Sequence, residues 1–347
     1  WIASPALLKR CGEHLDWAGL GASVKAIYSA GGPLPAATAA ELDARLGCLP
    51  IEIYGSSETG IVAWRQGAEA WRAFSGVKLG TQGEGALWVE SPWLSGRREQ
   101  SADLVQLRQD QRFQLLGRAD RILKVEETRV SLPLVESLLA SHPYVQAAYV
   151  GRRDGASRLT ALVALSARGL HALRNEGRPR LIAALHEHLV PELPSLALPR
   201  AWRLLRELPV NTQDKLPKDV FEALAGPRPS APTLSPLPPG AAGERRYGVE
   251  IPVDLQYFSG HFASMPVVPG VVQITWAMDI ARQELKADLA FGGIEVLKFH
   301  KLLRPGDRAE LSLFWNEQSR KLYFSFLLAG EPCSSGRILH RPHDGAL

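Results

Sequence analysis

The chain has 347 residues, 46% of them apolar and 22% charged, which exceeds one ordinary core and predicts two or three soluble domains. The net charge of +4 comes from basic residues that alternate with acidic ones, not from a single aromatic-interleaved stripe, which argues against a nucleic-acid binder. No apolar run reaches the roughly 18 residues of a membrane span, no signal-peptide pattern opens the chain, and Cys11, Cys48 and Cys333 have no CxxC spacing. Those cysteines argue against a disulfide framework or a zinc site and for a reducing cytoplasm.

Trp1 stands where an initiator Met would be, and the first residues read like the middle of a domain, so the chain is expected to be a fragment. Val24 to Ser29 and Pro50 to Tyr54 read as buried strands around a helix-forming stretch. Gly85 to Val89 and Asp103 to Leu107 read as strands of a second, more exposed sheet. After Gly117 the pattern becomes that of a small α+β lobe. A helix is expected at Leu134 to Ala140, strands at Val145 to Val150 and Leu159 to Leu165, and an amphipathic helix at Arg180 to Leu189. A strand at Trp202 to Leu205 and a helix near Val220 to Leu224 complete it.

Residues 225 to 245 are dense in Pro, Gly, Ala and Ser and read as a semi-extended linker. Beyond them come a strand at Tyr247 to Pro252 and one long helix at Val271 to Leu285. Strands follow at Gly293 to Leu303, Arg308 to Trp315, Lys321 to Leu328 and Ser334 to His340. One helix followed by a run of antiparallel strands is the hotdog arrangement.

Ile53-Tyr-Gly-Ser-Ser-Glu-Thr-Gly60 closes a predicted strand and puts two hydroxyls and a carboxylate on one tight loop. Hydroxyls and amides can bond phosphate, and a carboxylate can hold Mg²⁺ against it. Alone, an ordinary polar turn explains this loop as well. It is accompanied by Tyr28-Ser-Ala-Gly-Gly-Pro-Leu34, Gly83 to Leu94, Ser101-Ala-Asp103, Leu116 to Val125 and Leu208-Pro-Val-Asn-Thr-Gln-Asp-Lys215. In this order the set resembles the acyl- and aryl-CoA synthetases, AMP-forming ligases that join ATP to a carboxylate and pass the acyl group to a thiol. The resemblance covers roughly residues 1 to 224. It implies that Gly31 and Gly32 line the adenine and that Tyr54 belongs to the nucleotide site. It further implies that Ser57 meets the α-phosphate, Glu58 ligates Mg²⁺ and Asp103 accepts the ribose hydroxyls. Arg118 would reach the ribose and phosphate edge, and Asp120 would sit at the hinge between lobes. Lys215 would neutralise the charge that grows on phosphorus. The sequence departs from the family at Asp214, where Gly is usual, and at Ser101-Ala102, where Thr-Gly is usual. The family's phosphate loop is expected upstream of Trp1.

Tyr257 to Ala277, with His261-Phe262 and Pro269-Gly270-Val271 leading into the long helix, resembles the hydroxyacyl-carrier-protein dehydratases, and more closely those of aryl-polyene clusters. Eliminating water from a 3-hydroxyacyl thioester needs a base and an acid. The resemblance implies that His261 is the base and that the Gly270 amide polarises the thioester carbonyl. Thr275 stands where the family keeps a carboxylic acid. Asp279 lies one helical turn on and is a candidate substitute. Alternatively, a second subunit supplies the acid, or the domain only binds acyl thioesters. Trp276 and Met278 read as plain core.

The expected architecture is therefore α/β and α+β: a ligase large-domain remnant (1–116), its C-terminal lobe (117–224), a linker (225–245) and an α+β hotdog domain (246–347). The expected activity couples carboxylate activation to 3-hydroxyacyl-thioester dehydration in a fatty-acyl or aryl-polyene pathway. ATP, Mg²⁺ and a CoA or phosphopantetheine thioester are the implied small molecules. An acyl or aryl carboxylate, an acyl carrier protein and a second copy paired through the hotdog are the implied partners. The alternatives are a thioester-binding module with a vestigial ligase half, or a thioesterase-like hotdog.

Overall fold

The computed structural model describes all residues except 13, 84, 95–96, 109, 126–127, 212–214, 241–242, 286–289 and 341–347. The chain divides into two compact units, Trp1–Pro133 with Val210–Lys215, and Leu134–Pro209 with Leu216–Leu347.

The first unit holds strands β1 (Ile2–Ala3), β2 (Tyr28–Ala30), β3 (Ile51–Ser56), β4 (Gly60–Gln66), β5 (Trp71–Ala73), β6 (Lys78–Gln82), β7 (Ala86–Glu90), β8 (Arg98–Leu107) and β9 (Arg112–Arg118), then the hairpin β10 (Ile122–Val125) and β11 (Thr128–Ser131). Its helices are α1 (Pro5–Leu8), α2 (Trp17–Ser23) and α3 (Ala36–Leu46). Among the described residues, nine strands form one sheet in the order β1-β2-β3-β4-β5-β9-β8-β7-β6. The separate second sheet expected from the sequence is thus corrected: β5 pairs with β9 and joins the two halves. Trp71, Leu87, Val89, Val105 and Phe113 bury together across that junction. β2 and β3 are parallel and adjacent, with α3 crossing between them. The strand expected at Val24 begins only at Tyr28, because Val24 is the last cap of α2.

The second unit begins with α4 (Leu132–Ser141), β12 (Val145–Gly151), β13 (Thr160–Leu165), α5 (Ala167–Glu176), α6 (Arg178–Leu189), β14 (Ala201–Leu205) and α7 (Lys218–Ala225). The helix α5 escapes the apolar pattern because it buries only Gly169, Ala172 and Leu173. Ser166 caps it, its hydroxyl accepting from the Gly169 amide. The same unit continues through β15 (Thr233–Leu237), β16 (Arg245–Glu250), α8 (Gly270–Leu285), β17 (Phe291–Phe299), β18 (Arg308–Asn316), β19 (Lys321–Leu328) and β20 (Glu331–His340). These strands form a sheet in the order β15-β16-β18-β19-β20-β17. α8 buries Val272, Ile274, Trp276, Met278 and Ile280 against Leu311, Leu313, Phe324 and Phe326 of that sheet. Each such side chain contributes roughly 1.5–3 kcal/mol, and Trp276 and Met278 are core as expected.

The linker reading of 225–245 needs correction. Thr233–Leu237 pairs antiparallel with β16 as the outermost strand of the hotdog sheet. Upstream, the Ser230 carbonyl accepts from the Trp276 indole at 3.1 Å, and the Pro229 carbonyl accepts from the Gln256 amide. An edge strand tolerates Pro236, and its exposed side chains carry no apolar alternation, so composition alone suggested a tether.

Nor is the hotdog a separate bead from the lobe that precedes it. Asp254 is buried and takes the Arg178 guanidinium at 2.6 Å and the Leu204 amide at 3.1 Å. Arg174 meets Asp307 at 2.5 Å, and Arg206 meets Glu250 at 2.9 Å. At Gly177, whose φ is +86°, an added Cβ would lie 1.7 Å from the Ala263 carbonyl oxygen. Leaving the buried Asp254 without Arg178 would cost about 3–5 kcal/mol, and the lobe and the hotdog form one compact unit.

Candidate functional site

In the first unit, β2 and β3 end at the same edge of the sheet, and each is followed by a glycine-containing loop. The β3 loop is closed by its own hydroxyls. Ser56 Oγ and Thr59 Oγ1 lie 3.0 Å apart, and each accepts from the other residue's backbone amide. That bracing leaves Ser57 and Glu58 exposed at the tip. The Ser56 hydroxyl, then a backbone amide and the Arg118 charge, hold the Glu58 carboxyl below the usual carboxylate range. The β2 loop carries Gly31 and Gly32, both exposed. An added Cβ at Gly31 would meet nothing within 4 Å, so this edge is open. Beneath it the Leu34 amide donates to the buried Glu52 carboxylate at 3.1 Å, whose other oxygen takes Arg65 at 2.7 Å.

Asp103 lies in β8 directly opposite Arg118 in β9. The Tyr54 hydroxyl reaches across from β3 and donates to Asp103 Oδ2, and Ser101 Oγ donates to the same oxygen at 3.0 Å. Burial, then the Asp103 hydrogen bond, raises the Tyr54 phenol above its ordinary range, while Arg118 opposes this. The fold therefore gathers Tyr54, Asp103 and Arg118, with Glu58 within reach of the Arg118 field. Lys215 belongs to this unit, and its loop closes on Asn211 through hydrogen bonds of 2.8 and 3.0 Å. Its side chain is exposed and, among the described residues, makes no hydrogen bond or ion pair. Asp214 lies outside the described residues, and so does the side chain of Asp120.

In the second unit, His261 is held by its backbone. Its amide donates to the Tyr257 carbonyl at 3.1 Å, and its carbonyl accepts from Val267 at 3.0 Å. The imidazole stacks on Phe262, ring centroids 4.3 Å apart, and its Nδ1 is buried with no hydrogen-bond partner among the described residues. Gly270 opens α8 under the Phe299 ring: an added Cβ would lie 2.4 Å from that ring. Its amide makes no hydrogen bond among the described residues and precedes the first intrahelical bond, from Val272 to Pro269 at 3.0 Å. Thr275 and Asp279 share the exposed face of α8. The Thr275 hydroxyl donates to its own helix at Val271 O (3.0 Å), and Asp279 pairs with Arg282 at 3.0 Å. Neither forms a hydrogen bond with His261.

Several residues of these sites were not singled out from the sequence. Glu52 had a signal, an acidic residue inside an apolar strand. Ser101 was noted only as a departure, although its hydroxyl supports Asp103. Phe299 had no local signal, because its proximity to Gly270 arises from sheet topology.

Residues 241–337 match the family model of the ApeI-like dehydratases, described as ApeI dehydratase. The chain is 32% identical over 166 residues to a 4-coumarate–CoA ligase of Cereibacter sphaeroides, covering 48% of this chain and 36% of the relative. It is 37% identical over 70 residues to the 3-hydroxyacyl-[acyl-carrier-protein] dehydratase FabZ of Clostridium botulinum, covering 18% of this chain and 49% of that protein. A benzoate CoA ligase from Burkholderia xenovorans superposes over 64% of this chain and 50% of its own length, with a TM-score of 0.52 and 20% identity. The chain spans half or less of the length of these proteins. It joins an adenylate-forming-ligase fold to a hotdog dehydratase-type segment. Among the described residues, no helix is long and apolar enough to cross a membrane.

Proposed function

We propose that the chain contributes to two reactions on one acyl group: ATP-dependent activation of a carboxylate and transfer to a thiol, and dehydration of a 3-hydroxyacyl thioester. The convergence of Tyr54 and Ser101 on Asp103, with Arg118 opposite it on β9 and the exposed Glu58 loop nearby, carries the first half. With Oδ2 already accepting two donors, Asp103 offers Oδ1 to a ribose hydroxyl. The exposed Glu58 carboxylate stays ionised and fits a Mg²⁺ ligand, the ion screening phosphate charge. Gly31 and Gly32 leave room for a flat base, Ser57 can donate to phosphate, and the exposed Lys215 would meet the charge that develops as pyrophosphate leaves.

In the second half, His261 would take the α-proton while the Gly270 amide holds the carbonyl oxygen. The C–O bond to the 3-hydroxyl then breaks, and the products are an enoyl thioester and water. The leaving hydroxide needs a proton, and Thr275 has already donated its own hydrogen to Val271. The acid therefore comes from Asp279 or from a second copy. A second copy has a place to dock: β17 ends the sheet as an edge strand and exposes Phe291, Val296, Leu297 and Phe299. A hotdog dimer through β17, working in the cytoplasm with a CoA or acyl-carrier-protein thioester from a fatty-acyl or aryl-polyene pathway, completes the reading. The engagement of Thr275 favours one rival, a module that binds acyl thioesters without dehydrating them.

The test of the ligase half is Lys215→Ala in the gene's complete product. Carboxylate-dependent pyrophosphate exchange should fall by roughly 100-fold or more, while ATP binding largely survives. Equal losses of binding and rate, or no loss, would give Lys215 another role.

A further inference from the structure

A cleft of about 510 Å³ in the second unit is lined by Arg178, His186, Arg200, Trp202, Arg203 and Arg228. We propose that it is a binding site for a phosphate-bearing ligand, a phosphate monoester or diphosphate. Arg178 and His186 are eight residues apart on α6 and so share a helix face. Arg200 and Arg203 flank the start of β14, and Arg228 follows α7.

The charge does not balance. Four guanidinium groups line the cleft, and among the described residues Asp254 pairs with two of them, Arg178 and Arg228. Its Oδ1 accepts from Arg178 at 2.6 Å and Arg228 at 3.5 Å, and its Oδ2 from the Leu204 amide at 3.1 Å and Arg178 at 3.3 Å. Asp254 is thus saturated. Among the described residues, Arg203 is held by backbone carbonyls alone, those of Gly226 (2.7 Å), Trp202 (2.9 Å) and Ala225 (3.1 Å). Burial, then the charges of Arg178, Arg228 and Arg153, weakens its hold on its proton, although Asp254 works the other way. Arg200 is exposed at the rim, with no ion pair among the described residues.

Uncompensated like charges in a partly desolvated cleft are unfavourable, and an anion removes the repulsion. Guanidinium groups present planar forks that match phosphate oxygens, and Arg178, Arg203 and Arg228 keep unused N–H donors after serving Asp254 and the backbone. The volume lies within the roughly 300–1,000 Å³ of small-molecule sites. A phosphate here could come from CoA, from the phosphopantetheine of a carrier protein, or from a free phosphate. This site does not depend on either proposed activity.

Calorimetric titration of the full chain with 4′-phosphopantetheine, CoA, inorganic pyrophosphate and phosphate-free pantetheine distinguishes these sources. The phosphate-bearing probes should bind and weaken as salt rises, and pantetheine should not bind. In the part of the binding lost in Arg200→Ser, tighter binding of phosphopantetheine or CoA than of pyrophosphate assigns the site to a thioester carrier, and equal binding assigns it to free phosphate. Arg200→Ser, which leaves the buried network intact, should weaken binding roughly tenfold. No binding by any phosphate, equal binding of pantetheine, or unchanged affinity in Arg200→Ser would overturn the proposal.

Discussion

Around Asp103, Tyr54 and Ser101 converge on one carboxylate oxygen, and Arg118 stands opposite on the next strand. Around His261, the backbone is fixed but Nδ1 has no polar partner among the described residues, and the two candidate acids on α8 bond elsewhere. The first group is preorganised by strands that adjoin within one sheet. The second has the proposed base and the helix start in place, but both candidate acids face outward, on the surface of α8. Side chains on neighbouring strands can assemble a site inside one chain. A helix whose functional face points away from its own core leaves the site for another component to complete.

The comparison breaks most visibly at the base. If His261 abstracts the α-proton, His261→Ala should abolish enoyl-thioester formation, a loss of roughly 100-fold or more read by absorbance, with the fold retained by circular dichroism. A variant as active as the parent would make His261 a packing residue beside Phe262.

The loop that carries His261 also leans on the preceding lobe at Gly177. Gly177→Ala puts a methyl group against Ala263 O at a backbone angle that favours glycine. The melting temperature should fall by several degrees, at roughly 2–4 °C per kcal/mol for a domain of this size. An unshifted melting temperature would mean that the lobe and the His261 loop do not press on each other.

Tyr54 supplies the gentlest test. Its phenol is raised above the ordinary 10.0 mainly by burial. A group whose folded value is raised contributes stability below the unfolded value and loses it as pH climbs through and beyond that range. Thermal stability of the parent should therefore decline as pH passes 10, and Tyr54→Phe should flatten the decline. Identical pH curves for parent and variant would mean that the fold does not raise the Tyr54 phenol.

Much of this was legible in the sequence. The Ser56–Thr59 loop, Asp103, Arg118 and the His261 to Trp276 run stand out as local strings of residues, and it is on such strings that the family resemblance rests. The linker did not, because an edge strand pairs on one side only and needs no apolar alternation, so Thr233–Leu237 looked like a tether. The union of the lobe with the hotdog was also hidden. It rests on Arg178 with Asp254 and Arg174 with Asp307, pairs separated by 76 and 133 positions. Single arginines carry no mark of the distant carboxylate they will meet.

The proposed dehydratase half carries Thr275 where the family it resembles keeps its acid. The most direct measurement is the rate of 3-hydroxyacyl-thioester dehydration in the parent, Thr275→Glu and Asp279→Asn. Where no other acid serves the site, a carboxyl at position 275 should raise the rate by up to the roughly 100- to 10,000-fold that general acid catalysis supplies; where Asp279 or a second copy already supplies it, the rise should be small. A large loss in Asp279→Asn would identify Asp279 as the present acid, and no change would leave that role to a second copy. If the parent is inactive and Thr275→Glu stays inactive while acyl thioesters still bind, the dehydratase account is contradicted and the domain is a binding module.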